Sequence, residues 1–199
     1  MALKPSIAGV HDFLRRNNGL IVHFSGAPPG VPSGANLSYP HDLRAVISGA
    51  AQSGLACSIV MPTDDFVGPS VRNAFGFIGV IVDLVTPDSP MAVDPSDAGS
   101  WVENRVRQYP DREITLSDLD NSLRGRTQHN EWGLQNYRVC GVLAVPPFEY
   151  WVPPPPGGPA RTTPELIETA FAPLPVFGFF NGQLISRQGR IDAGSIYTQ

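Results

Sequence analysis

Residues 124–147 read RGRTQHNEWGLQNYRVCGVLAVPP, a polar cluster that leads into a long apolar run. The apolar part, from Tyr137 to Val145, is rich in β-branched residues and predicts a central strand. Five polar side chains fall within a span of eight residues, 124–131, shortly before this run: Arg124, Arg126, Gln128, His129 and Glu131. Such a cluster is typical of catalytic groups held at a strand edge, and equally of a polar loop that enters a strand.

Length and composition predict one globular domain over residues 1–199. A chain of 199 residues with 42% hydrophobic content can bury one substantial core, and a second domain of ordinary size does not fit beside it. The 20 Gly and 21 Pro residues cluster between the apolar runs. The sequence therefore predicts a loop-rich fold.

The charge balance argues against one class of partner. A net charge of −4 and a pI near 5.5 argue against a large basic surface, so nonspecific binding to nucleic acid through its phosphates is not expected, although a local basic patch stays open. Lys4 is the single lysine among 14 cationic residues. Arginine forks suit phosphate and carboxylate recognition, but codon bias explains the excess as well.

The cysteines and the N-terminus bear on location. Cys57 and Cys140 lie inside apolar runs, which predicts two buried thiols rather than a disulfide or a metal site. The N-terminal residues lack a continuous apolar stretch, and no run approaches the roughly 20 apolar residues that span a bilayer. We expect a soluble protein with no membrane contact, either cytoplasmic or exported without a cleavable signal peptide.

The periodicity along the chain predicts alternating elements with long loops. Helices are expected from Ile7 to a stop at Asn17-Asn18-Gly19, from Pro40 to a stop at Gly54, from Ser100 to before Pro110, at Leu116–Leu123 with Thr115 or Ser117 as cap, and from Thr163 to Phe171. Strands are expected at Leu20–Ser25, Ala56–Met61, Phe75–Val85 and Tyr137–Val145, with a terminal hairpin at Asn181-Gly182. Loops are expected at 26–39, 62–73, 86–99 and, rich in proline, at 152–159. This order predicts an α+β fold with a mixed or antiparallel sheet.

Several common sites are missing from the sequence. No GxGxxG or GxxxxGK[ST] follows a strand, which argues against Rossmann and P-loop folds. The two Cys and four His residues lack the spacing of zinc ligands, so no metal is expected, and no GxSxG marks a hydrolase elbow.

Three short segments resemble one enzyme superfamily. The strand LIVHFSG at 20–26, the helix DLRAVISGAAQSGL at 42–55, and the glutamate entering a late strand in HNEWGLQNYRVCGVLAV at 129–145 are similar to parts of the ADP-ribosyltransferase superfamily, in particular to DarT-like toxins. The resemblance covers roughly residues 20–145. The middle element of that superfamily's catalytic triad has no clear equivalent, and the candidates are Tyr39, Ser58 and Ser70.

The resemblance implies an enzyme that takes NAD as substrate and transfers ADP-ribose to a protein or nucleic acid. Glu131 would stabilise the positively charged sugar formed when the nicotinamide–ribose bond breaks, with His129 as a second catalytic residue. The remaining residues would bind NAD, with Arg124 or Arg126 on its pyrophosphate: His23, Ser25, Gly26, Tyr39, Arg124 and Arg126. A toxin or effector of this kind would also have a neutralising partner protein.

Two other functions remain open from the sequence. A metal-independent ribonuclease would use His129 with Glu131 or His23 as acid and base. A non-catalytic interaction protein would instead present the proline-rich loop with Trp132, Tyr150 and Trp151 to a partner.

Overall fold

The computed structural model of the protein describes residues 5–24, 43, 46–49, 55–64, 78–86, 92–94, 114–124, 130–144, 164–180 and 182–198. Three helices have described bounds: α1 (Ile7–Asn17), α2 (Leu116–Arg124) and α3 (Pro164–Phe171). A 3₁₀ helix, Ala193–Thr198, lies near the C-terminus. Leu43, Val46 and Ile47 are also helical, inside the helix predicted from Pro40.

In the described part of the chain, nine strands form one mixed sheet: β1 (Leu20–Phe24), β2 (Leu55–Val60), β3 (Ile78–Leu84), β4 (Ala92–Asp94), β5 (Glu131–Leu134), β6 (Tyr137–Ala144), β7 (Val176–Phe180), β8 (Gln183–Ser186) and β9 (Gly189–Ile191). Their order across the sheet is β4-β5-β2-β1-β3-β6-β7-β8-β9. All neighbours are antiparallel except β6 and β7, which are parallel. The fold is α+β with a mixed sheet, as the sequence predicts.

The connection between β5 and β6 bends the sheet. In a flat sheet these strands would lie four strand spacings apart, about 19 Å. The chain between them is only Gln135 and Asn136, which limits the distance between the Cα atoms of Leu134 and Tyr137 to about 11 Å. Asn136 helps the turn with a left-handed φ of 55°. The part of the sheet formed by β2, β1 and β3 is therefore curled. The curl brings β5, which pairs with β2, close to β6, which pairs with β3.

Local sequence signals explain the ends of the helices. Ser6 caps α1 by accepting a hydrogen bond from the Gly9 N–H at 3.1 Å, and Asn18 ends it in a left-handed conformation with φ of 51°. The predicted cap Thr115 exchanges hydrogen bonds with Asp118 at the start of α2, including 2.8 Å from the Thr115 N–H to Asp118 Oδ2. These contacts confirm the predicted stop after α1 and the predicted start of α2.

The core follows from the apolar strands. Every residue of β3 is buried, which confirms the prediction of a strand covered on both faces. Gly79 in β3 allows a close approach, because a Cβ there would lie 2.9 Å from Phe24 Cδ1. Trp132 is fully buried and stacks on Phe13 at 6.2 Å between ring centroids. The prediction that Trp132 contacts a partner protein is therefore wrong, since the indole belongs to the core.

Two strands were not expected. Residues 92–94 form β4, although the surrounding Pro and Asp residues predict turns. Residues 131–134 form β5. The sequence was also compatible with a polar loop at this place, leading into the next strand. Both are short and owe their conformation to pairing with a distant neighbour, β4 with β5 and β5 with β2.

Among the described residues, no helix is long and apolar enough to cross a membrane. The helix predicted from Ser100 and the proline-rich loop at 152–159 lie outside the described residues.

Candidate functional site

Glu131 lies in the sheet and is largely buried. It begins β5, and only 7% of its surface is exposed. The preceding residue, Asn130, fixes the strand: its Oδ1 accepts a hydrogen bond from the Ile59 N–H at 2.7 Å, and its carbonyl accepts one from Ser58 Oγ at 2.8 Å. Glu131 therefore lies in a strand between β4 and β2. It is not a surface group in a loop, which was the alternative interpretation of the sequence.

A row of polar residues crosses the sheet at Glu131. On one side Asp94 of β4 is its cross-strand partner. On the other side lies β2, where Cys57 pairs with Trp132. Ser58 follows Cys57 and Glu131 precedes Trp132, so in this antiparallel register Ser58 and Glu131 lie opposite each other on one face of the sheet. Directly opposed residues have Cβ atoms about 5 Å apart, and like charges there destabilise a strand pair. The row therefore brings two carboxylates to directly opposed positions of the sheet.

The electrostatic effect of Glu131 is visible at Cys57. Burial raises the pKa of the Cys57 thiol well above its usual value, and the negative charge of Glu131 raises that pKa further. The thiol is consequently protonated at neutral pH. Both effects disfavour the thiolate form, so we consider the carboxylates and Ser58 as the reactive groups of the row.

His23 lies in β1 with its ring fixed against β2. Its Nδ1 is 2.7 Å from the Ala56 carbonyl oxygen. Because a carbonyl only accepts, Nδ1 carries the proton, and Nε2 has the lone pair in the neutral ring. The ring is partly buried.

His23 and Glu131 project to opposite faces of the sheet. The register of β1 on β2 places His23 on the face of Cys57. Cys57 lies opposite Trp132, so that face also carries the indole, and Glu131, next to Trp132, points the other way. His23 and Glu131 thus lie beside adjacent residues of β2, Cys57 and Ser58, but their side chains do not point into one cleft.

Arg124 ends α2 and extends into solvent. Its side chain is 79% exposed and makes an ion pair of 3.0 Å with Asp120 one turn earlier. An exposed pair of this kind contributes little stability, so the guanidinium can leave Asp120 for another anion at small cost.

Five predicted site residues lie outside the described residues: Ser25, Gly26, Tyr39, Arg126 and His129. Ser70, a candidate for the middle element of the triad, does as well. Ser58 is the triad candidate that the structure describes, and it lies beside Glu131.

A second polar cluster was missed by the sequence reasoning. Asp83 in β3 is 2% exposed, and its Oδ1 lies 2.6 Å from His11 Nε2 of α1. The guanidinium of its cross-strand partner Arg138 donates to Oδ2 at 2.7 Å, and that bond raises the pKa of Arg138. His11 also stacks on Tyr197. The available signal was a single acid inside the apolar run IGVIVDL, since a buried carboxylate requires donors nearby.

The described residues contain no group of three or more His, Cys, Asp and Glu side chains that could hold a metal ion. The polar row itself offers carboxylate and hydroxyl oxygens. A buried carboxylate beside a second carboxylate and a hydroxyl can stabilise a developing positive charge or orient a hydroxyl group for reaction.

Comparison of the chain with known protein families, with curated proteins and with solved structures finds no match to any of them.

Proposed function

We propose that the chain is an NAD-consuming enzyme of the ADP-ribosyltransferase type, in which Glu131 stabilises the reacting ribose. The supporting observation is the row in which Glu131, 7% exposed, lies opposite Asp94 and beside Ser58. Breaking the bond between nicotinamide and ribose leaves positive charge on the sugar. A fixed, poorly hydrated carboxylate stabilises that charge more than a mobile surface carboxylate does.

The neighbouring residues have distinct roles in this proposal. Ser58 donates to the Asn130 carbonyl, so its oxygen lone pairs remain to accept a hydrogen bond from a ribose hydroxyl. Asp94 increases the negative potential around the sugar. Arg124 can bind the pyrophosphate, because its ion pair with Asp120 is exposed to solvent and is exchanged for another anion at small cost.

His23 is not part of the Glu131 site in this proposal. Its ring projects from the opposite face of the sheet, with Nδ1 bonded to Ala56. The ribose contact that the family resemblance implied for His23 is here made by Ser58.

The test is release of nicotinamide from NAD by the purified protein, with cell lysate present as a source of acceptor. Glu131→Gln keeps the size of the side chain and removes its charge, and we expect release to fall about a hundredfold or more. Glu168→Gln is the matched control, because Glu168 is a partly exposed residue of α3 that pairs with Arg187. It should leave release unchanged.

Labelled NAD would then identify the acceptor as protein or nucleic acid. The proposal is overturned if the parent protein releases no nicotinamide and NAD produces no rise in its melting temperature. Equal losses in Glu131→Gln and Glu168→Gln would also contradict the assigned role of Glu131.

A further inference from the structure

A cleft of about 370 Å³ lies between β6, β7 and the C-terminal segment, and Glu131 is not among the residues that line it. Its walls are partly apolar, formed by Pro175, Phe177, Ile191 and Ile196. The volume is at the lower end of the range for sites that hold small molecules. The cleft therefore suits a ligand with a short apolar group.

The backbone of β6 and β7 shapes this cleft. A Cβ on Gly141 would lie 2.6 Å from Phe177 Cε2 and 2.8 Å from the Pro175 carbonyl oxygen, so only glycine allows the Phe177 ring to lie over the strand. Cys140 is the extra residue of a bulge, since Gly141 pairs with Ile81 while Val139 pairs with Val82. The bulge is where Cys140 lines the cleft.

Both signs of charge line the same cleft. Arg190 lies in β9 and Asp192 directly follows that strand. Within the described part of the chain, the Arg190 guanidinium makes no hydrogen bond or ion pair. In the Asp192 carboxylate only Oδ1 is hydrogen-bonded, to the Gly194 N–H at 3.0 Å. A simple anion would be repelled by Asp192 and a simple cation by Arg190. A ligand with one charge of each sign satisfies both.

We propose that this cleft binds a free α-amino acid with an apolar side chain. The carboxylate of the ligand pairs with Arg190, where the planar fork offers two parallel donors. Its ammonium group pairs with the second carboxylate oxygen of Asp192, and its side chain packs on Phe177 and Ile196. The site is separate from Glu131 and does not depend on the proposed transferase activity.

Cys140 provides a direct measure of occupancy, because it lines the cleft and is partly exposed, whereas Cys57 is buried. Alkylation of Cys140 by N-ethylmaleimide would be followed by mass spectrometry in millimolar L-leucine, L-valine, L-methionine or L-phenylalanine. At least one of these should slow the labelling several-fold. The matching amide, which lacks the carboxylate, and the matching deaminated acid, which lacks the amine, should not.

Two variants test the charge contacts. Arg190→Gln and Asp192→Asn should each weaken binding of the protective amino acid about tenfold or more, measured by calorimetry. Both side chains are exposed, and Asp192→Asn retains a side-chain oxygen that can accept from the Gly194 N–H, so both variants are expected to fold. Arg187→Gln, at a solvent-exposed arginine paired with Glu168, should bind like the parent.

The proposal is overturned if none of the four amino acids protects Cys140 or gives a binding heat. It is also overturned if the amide or the deaminated acid protects as well as the amino acid, or if Arg190→Gln binds with the affinity of the parent. None of these results bears on nicotinamide release, so failure here and failure of the transferase proposal are distinguishable.

Discussion

Asn130 is a single buried amide that joins three elements. Its Oδ1 accepts from the Ile59 N–H of β2, and its Nδ2 donates to the Ser122 carbonyl of α2 at 3.3 Å. The Trp132 indole N–H donates to Ser122 Oγ at 3.0 Å, so Ser122 of α2 holds β5 through both Asn130 and Trp132. Glu131 is placed by these bonds rather than by contacts of its own strand alone.

Replacing Asn130 should therefore cost more than an ordinary polar substitution. Asn130→Ala leaves the Ile59 N–H and the Ser122 carbonyl buried without their partner, and we expect a loss of about 2–4 kcal/mol in the free energy of unfolding. Urea denaturation would measure it. Asn121→Ala, at an exposed position of α2, is the control and should stay within about 0.5 kcal/mol. A loss as small as that of the control would show that these buried bonds do not hold β5.

Cys140 should show an unusual pH dependence. Burial, followed by the charge of Asp83, raises its pKa to about 11. The rate of alkylation of Cys140 should thus still rise about tenfold per pH unit between pH 8 and 10, where an ordinary thiol with a pKa near 9 levels off.

The same shift affects stability. Since the folded pKa is raised, the stability linked to this thiol is fully present below about pH 9, its unshifted value, and is lost as pH rises towards about 11. Labelling located by mass spectrometry gives the rate, and denaturation at several pH values gives the stability. A labelling rate that levels off near pH 9 would contradict the assigned burial of this thiol.

The sequence identified Glu131 but not its surroundings. Its position before an apolar strand is a local pattern, and local patterns are readable. Asp94 and Ser58 come from segments 37 and 73 residues away, and their approach to Glu131 depends on strand register, which no local pattern encodes. The same limit hid the contact of His11 with Asp83.

At the scale of elements, Asp83 connects α1 to the sheet. Its carboxylate accepts from Arg138 of β6, from the Leu84 N–H at 2.7 Å, and contacts His11 of α1. One buried acid therefore holds a helix and two strands together. Such a group is costly to disturb, because every donor around it is arranged for a negative charge.

Asp83→Asn keeps the shape of the side chain and removes its charge. We expect it to lower the free energy of unfolding by about 1–3 kcal/mol, since the ion pair with Arg138 is lost and one of the two acceptor oxygens becomes an NH₂ group that faces a donor. Asp12→Asn is the matched control on α1, where Asp12 forms an exposed ion pair with Arg15 that is worth less than about 1 kcal/mol. Equal effects of the two substitutions on thermal or urea unfolding would refute the role of Asp83 as a connector.

Long elements with strong periodicity could be read from the sequence, and short ones could not. The helix α1 and the strands β1, β2, β3 and β6 lie within a few residues of their predicted positions. β4 is three residues long and lies within the four residues between Pro90 and Pro95, where propensity favours turns. Only its pairing with Trp132 and Glu131 makes those residues a strand.

At the scale of the whole molecule, the sheet order could not be derived from the element order. β5 and β6 are consecutive and separated by two residues, a spacing that normally predicts a hairpin. They do not pair with each other. Instead β5 pairs with β2 and β6 with β3, which is possible only because the intervening strands curl. The long-range contacts decide this arrangement, and no local signal in Gln135-Asn136 distinguishes it from a hairpin.

This arrangement predicts an uneven distribution of hydrogen exchange. β1 is paired on both sides, by β2 and β3, and Leu20, Ile21 and Val22 are fully buried, so their amides should exchange only through global unfolding. Among the described strands, β4 and β9 lie at the edges of the sheet and have three residues each, so their amides should exchange through local opening, faster by about two orders of magnitude or more. Exchange followed by NMR or mass spectrometry measures both classes in one sample. Equal protection of β9 and β1 would mean that the sheet does not end at β9, and the cleft beside Arg190 would then be covered by another segment or molecule.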